Sequence, residues 1–146
     1  MSQLSLRCIR AAFLALAAGI LLGISFALNR ALGVQLRPLH AELNLWGWVT
    51  LLIYGMGYHM LPRFSGRPLK PVRLAAAQSW LAIGGVAAAS LGWLIQTPLP
   101  TAGRILLAAG GLAQLAAALI FASLGAGLLF DRRPQLAARH LRKEQP

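Results

Sequence analysis

The chain has a single cysteine, Cys8, in 146 residues. That excludes an intrachain disulfide, a cysteine-held cluster and a cysteine zinc site, and leaves Cys8 as a small apolar filler. Acidic residues are also scarce, three against fourteen Lys and Arg. Glu42 is the only acid inside a long apolar stretch, near its start, so no acid is expected at the middle of a membrane. No helix is broken around convergent polar groups. Both absences argue against a transporter or channel. There is no internal repeat and no catalytic motif of a soluble enzyme. What the chain has is apolar character: 58% hydrophobic residues and a mean hydropathy of +0.64, more than a soluble domain of this size needs.

Four apolar stretches, at 9–28, 38–61, 74–95 and 105–130, reach the length of about 20 residues that crosses a bilayer. Spanning requires internally satisfied backbone, which here means helices. The expected fold is all-α, a bundle of four transmembrane helices forming one membrane domain over residues 1–146. The charges set its orientation. Eleven basic residues lie at Arg7 and Arg10, in the loop from Arg63 to Arg73 and in the tail beyond 131; only Arg30, Arg37 and Arg104 fall on the other side. This is the positive-inside pattern of a multi-pass protein of the inner (cytoplasmic) membrane with both termini cytoplasmic. The basic residues then serve as topology signals and contacts for anionic lipid, not as a nucleic-acid footprint. The first helix is read as retained, because its apolar run is long for a signal peptide and residues 25–28 make a poor cleavage site. In the tail, 131–146, residues 134–143 are expected to be able to form a short basic helix on the inner leaflet, with Leu136, Ala137 and Leu141 toward lipid and His140 solvated.

Along the chain, Gly19 and Gly23 have the spacing that lets two helices approach, and Asn29 and Arg30 end the first helix. Pro38 suits the first position of the second and Pro62 closes it. The third helix (Gly84, Gly85, Gly92) and the fourth (Gly110, Gly111, Gly125) present smooth faces for packing on neighbours, in this chain or another. Gln78 and Gln114 suit hydrogen bonds between helices, and Trp80 and Trp93 suit the interface.

Chemistry concentrates on the second helix. At about 100° per residue, His40, Asn44, Gly47, Leu51, Tyr54 and Tyr58 fall on one stripe, with Glu42 nearly opposite. The stripe suits a flat cofactor. His40 supplies an axial nitrogen for heme iron, Gly47 leaves room for a macrocycle edge, and Leu51, Tyr54 and Tyr58 line the lower pocket. The positive helix end favours neutral imidazole, and Arg37 can pair with a propionate. The alternative keeps His40 as an interfacial residue or an interhelical hydrogen-bond donor and the tyrosines as packing residues. His59 lies about 28 Å further along the helix, at the opposite face. It is an interfacial residue or, alternatively, a second metal ligand or proton group.

Residues Leu36, Arg37, Pro38, Leu39 and His40, followed by Asn44, Gly47, Trp48, Val49, Gly55, Tyr58 and Pro62, resemble the second transmembrane helix of heme-copper oxidase subunit I, C-family oxidases and nitric oxide reductases above all. The resemblance runs from Leu36 to Arg63. It implies that His40 is an axial ligand of a b-type heme toward the outer face, where the charge count also places it. Members of that family have about twelve helices in three groups of four. This chain resembles one such group and lacks the paired copper histidines, the helix with two heme histidines and the cross-linked tyrosine. Copper, and oxygen reduction by one copy, are therefore not expected. What the resemblance implies is electron transfer, gas sensing or support of a respiratory oxidase or electron-transfer partner. Three copies around a three-fold axis would imitate the twelve-helix body, with neighbouring His40 side chains sharing a heme. The alternative is a heme-free membrane scaffold or assembly partner for a respiratory complex.

Overall fold

The computed structural model describes residues 2–130, and everything described beyond single-residue joints and two short loops is helical. The tail with its expected basic helix and solvated His140 lies outside the described residues. Ser2 caps α1 (Gln3–Leu28) by accepting the Ser5 N–H at 3.2 Å, as a serine before a helix does. Asn29 is extended and ends α1, and its side chain accepts from the N–H groups of Ala31 and Leu32. One residue therefore separates α1 from α2 (Arg30–Glu42).

This corrects the expected start at Pro38. The cap at Asn29 satisfies the first orphan donors of a helix that begins eight residues earlier, so Pro38 lies inside α2 and removes one backbone donor there. The helical path continues through a π-helical segment, Leu43–Thr50, into α3 (Leu51–Ser65). Pro62 likewise does not close it. The stop is Gly66, at φ 65°, with the Arg67 N–H returning to the Pro62 carbonyl at 3.1 Å, a left-handed C-terminal cap that glycine adopts without strain. After a short loop come α4 (Val72–Ile95) and α5 (Pro100–Phe130), the latter opening on a proline at its first position.

The π segment has a local cause. The Asn44 side chain donates to the His40 carbonyl at 2.8 Å, and the Thr50 hydroxyl donates to the Leu45 carbonyl, five residues back, at 2.8 Å. Side-chain donors thus cover carbonyls at both ends of the wider turns. The segment also shifts the register. Buried Leu39 is followed by buried Gly47 and Leu51, eight and twelve residues on, where α-helical turns would return after about seven and eleven.

Three helices, α1, α4 and α5, are long and apolar enough to cross a membrane. Residues 30–65 are helical throughout, but the π segment divides them. The outside of the bundle is apolar, with Leu14, Leu21, Leu112 and Leu119 all more than half exposed, while Ser5, Gln78, Ser79 and Gln114 are buried. That inversion of the soluble pattern fits a lipid solvent, and the protein is a membrane protein.

The path through α2, the π segment and α3 packs along α1, α4 pairs closely with α5, and α1 and α5 lie apart on opposite flanks. The α4–α5 contact is backbone on backbone. A Cβ at Gly110 would lie 2.7 Å from the Ala89 nitrogen and the Gly85 oxygen, and one at Gly92 would lie 2.9 Å from the Gly103 oxygen. Gly85, Gly92 and Gly110, read from the sequence as smooth faces, are therefore spent inside the chain, while Gly84 and Gly111 are not. Cys8 is fully buried in a cluster with Ala12, Leu51, Tyr54, Ala82 and Ala117.

Candidate functional site

His40 lies two residues before the end of α2, half-buried against α1. Its Nδ1 is 2.9 Å from the Gly19 carbonyl oxygen. A carbonyl can only accept, so Nδ1 is the donor in this bond, and in the neutral ring the lone pair lies on Nε2. Asn44, one turn on, binds the His40 carbonyl and stands 3.4 Å from both ring nitrogens. Phe26 meets the imidazole edge-on, with centroids 5.6 Å apart.

Two glycines of α1 make this arrangement possible. A Cβ at Gly19 would come within 2.8 Å of the Asn44 amide, and one at Gly23 within 3.0 Å of His40 Cε1. In an antiparallel pair, the four-residue spacing of Gly19 and Gly23 matches that of His40 and Asn44. The glycine pair is therefore the seat of the histidine and asparagine, and the matched spacings are the signal in the sequence that could have revealed it. Phe26 carries no such signal.

Arg37 is exposed and sits one turn before His40, on the same helix surface. The structure thus brings together Arg37, His40 and Asn44. Of the other stripe residues, Gly47 continues along α1 while Leu51, Tyr54 and Tyr58 turn away. Gly47 abuts Ala15 and Val86, and a Cβ there would come within 2.6 Å of the Ala15 methyl. Leu51 is buried in the core cluster. Tyr54 packs on Phe121 with centroids 4.6 Å apart, and the Tyr58 hydroxyl donates to Gln78 Oε1 at 2.8 Å. Leu51, Tyr54 and Tyr58 face the bundle interior. The cause is the π segment, whose extra residue breaks the uniform 100° step between Asn44 and Leu51. His59 lies near the far end of α3 and does not approach His40.

Glu42 is half-buried and accepts a short hydrogen bond from Gln114 of α5. The sequence alone puts it near the interface and on the face opposite the stripe. Gln114 is the fifteenth residue of α5, so the carboxylate reaches deeper than expected. Gln78 and Gln114 both bond between helices, as their placement suggests.

Among the described residues no group of three or more His, Cys, Asp or Glu could hold a metal ion. A porphyrin supplies four nitrogens of its own and needs only axial ligands from the protein. A single imidazole with its other nitrogen fixed on a carbonyl is such a donor, and the residues around His40 fit heme on that count.

The family model described as cytochrome c and quinol oxidase polypeptide I matches residues 3–135. Neither the curated proteins nor the solved structures contain a match to the chain. The matched range takes in all five α-helices, well beyond the Leu36-to-Arg63 likeness, and the chain belongs to that family.

Proposed function

We propose that this member of the oxidase subunit I family binds a b-type heme through Nε2 of His40. One observation carries the reading: the Nδ1–H bond to the Gly19 carbonyl, which leaves the lone pair on Nε2, where only a long 3.4 Å contact from the Asn44 amide would have to yield to iron, and holds the ring against α1. Heme, when bound, would supply one-electron chemistry or a gas-binding iron. The chain's own residues hold the imidazole (Gly19, Asn44), leave it room (Gly23) and place a guanidinium one turn away (Arg37) for a propionate. Electron transfer, gas sensing or support of an oxidase fits a site with one protein ligand per chain.

The same reading places four spans in the inner membrane, residues 30–65 forming the second, with both termini and the basic end cytoplasmic. It also includes assembly into a homo-oligomer, a trimer by analogy with the three helix groups of the family, in which a neighbouring copy completes the site. Because Gly85, Gly92 and Gly110 are used within the chain, assembly must rest on other faces, the outward one of Gly84 and Gly111 among them. A monomer by native mass spectrometry in mild detergent would remove the trimer.

A second reading has its own observation. The His40–Gly19 bond joins two helices, as a scaffold without heme would also require. Oxidised and reduced spectra of the purified protein separate the two, with His40→Ala beside the wild type. Sharp reduced bands lost in the variant support the cytochrome. A colourless protein, after growth with ample heme, leaves the scaffold.

A further inference from the structure

At the end of the bundle opposite His40, α1 and α4 touch over only a short stretch. Between them runs a groove of about 680 Å³, counting the part open to the surroundings. Its outer end is lined by Gln3, Arg7 and Arg10 of α1, and its inner end by Ala11 and Leu14 of α1 and Ile83 of α4. Polar groups give way to apolar ones along α1, in the order that a phospholipid presents headgroup and acyl chain.

The cationic end is held ready. Arg7 donates to the hydroxyl of the fully buried Ser79 at 3.3 Å, and its guanidinium carbon lies 4.3 Å from the centroid of the Trp80 ring. A guanidinium has five N–H donors in a planar fork, and the bond to Ser79 engages one. Trp80 is more than half exposed, an aromatic wall of the kind that sits at headgroup depth. No carboxylate neutralises this end: among the described residues Glu42 is the only acidic side chain, and it is bonded to Gln114.

We propose that this groove is a binding site for an anionic phospholipid, its phosphate held by Arg7 and Arg10 and one acyl chain lying along Ala11, Leu14 and Ile83. Charge selects an anion, and the apolar floor selects a lipid over a free ion. The site is independent of heme.

Native mass spectrometry of the full chain in mild detergent tests it, with phosphatidylglycerol or phosphatidylcholine of matched acyl chains added. Phosphatidylglycerol should be retained at least about fivefold more than phosphatidylcholine. Arg7→Gln with Arg10→Gln should bring the two lipids level, while Arg30→Gln with Arg104→Gln at the other end should change nothing. Equal retention of both lipids by the wild type would overturn the site, as would undiminished preference in the Arg7/Arg10 variant. Should that variant not fold, Trp80→Leu keeps both charges and removes the wall; unchanged retention there would also overturn it. Release of phosphatidylglycerol by millimolar inorganic phosphate would show that the groove reads phosphate alone, against the lipid.

Discussion

The two helical hairpins of this chain use glycine for opposite purposes. Between α4 and α5, glycines let backbone meet backbone: Gly110 lies against Gly85 and Ala89, and Gly92 against Gly103. Between α1 and the second helical path, Gly19 and Gly23 face side chains, the Asn44 amide and the His40 ring. One hairpin is joined by close packing alone. The other gives up that closeness around Gly19 and Gly23 to seat an imidazole, and its partner helix carries the π segment and the half-buried carboxylate. A glycine pair in a membrane helix is therefore informative only together with what stands opposite.

Substitution at the two kinds of glycine should separate them. Gly110→Val forces a branched side chain into main-chain atoms that cannot shift without parting the helices, and overpacking of this kind costs about 3 kcal/mol or more. Unfolding in mixed detergent should show a larger loss for this change than for any of the substitutions that follow. A variant as stable as the wild type would mean that α4 and α5 do not meet through their backbones.

Next comes the tyrosine contact at the inner end. Tyr58→Phe removes the hydroxyl that donates to Gln78, whose side chain is fully buried and whose Nε2 already has no acceptor among the described residues. Leaving such a group unpaired costs about 1 kcal/mol. Adding Gln78→Leu should restore part of it, since both polar groups are then gone. A double variant weaker than Tyr58→Phe alone would contradict the pairing.

Gly19→Ala and Gly23→Ala should cost less, about 1 kcal/mol or below, because the atoms they meet are the ends of side chains that can move a few tenths of an ångström. Their effect belongs to the site. On the heme reading both should weaken or shift the reduced bands while thermal stability changes little. Spectra identical to wild type in both variants would show that the α1 seat does not position His40.

Much of this is legible in the sequence, for physical reasons that also explain the misses. Apolar length marks what a membrane can hold, so α1, α4 and α5 are readable to within a few residues at most of their ends. Hydropathy says nothing about caps. Asn29, with acceptors for two N–H groups, starts α2 well before the apolar stretch, and Pro38 is carried inside it. His40 and Asn44 are readable because polar groups stand out in an apolar run. Tyr54 and Tyr58 share their face only in a uniform helix, and one register shift between Asn44 and Thr50 turns everything after it. Glu42 reads as shallow because its partner, Gln114, lies 72 residues away, and no local pattern links them.

The smallest effect sharpens the comparison most. Gly84 and Gly111 belong to the close-packed hairpin, yet a Cβ at either would find no atom within 4 Å. They face outward, to lipid or to another copy. Gly111→Ala should therefore leave folding of one chain within about 0.5 kcal/mol of wild type, and Gly111→Ile should do nearly the same, because nothing among the described residues resists the larger side chain. If a second copy packs on that face, the isoleucine will push it away by the same close-approach rule that makes Gly110 indispensable. Native mass spectrometry of the isoleucine variant would then show a smaller assembly with unchanged unfolding. An unchanged assembly would give that face to lipid and move any contact between copies to the α1 side, where His40 lies.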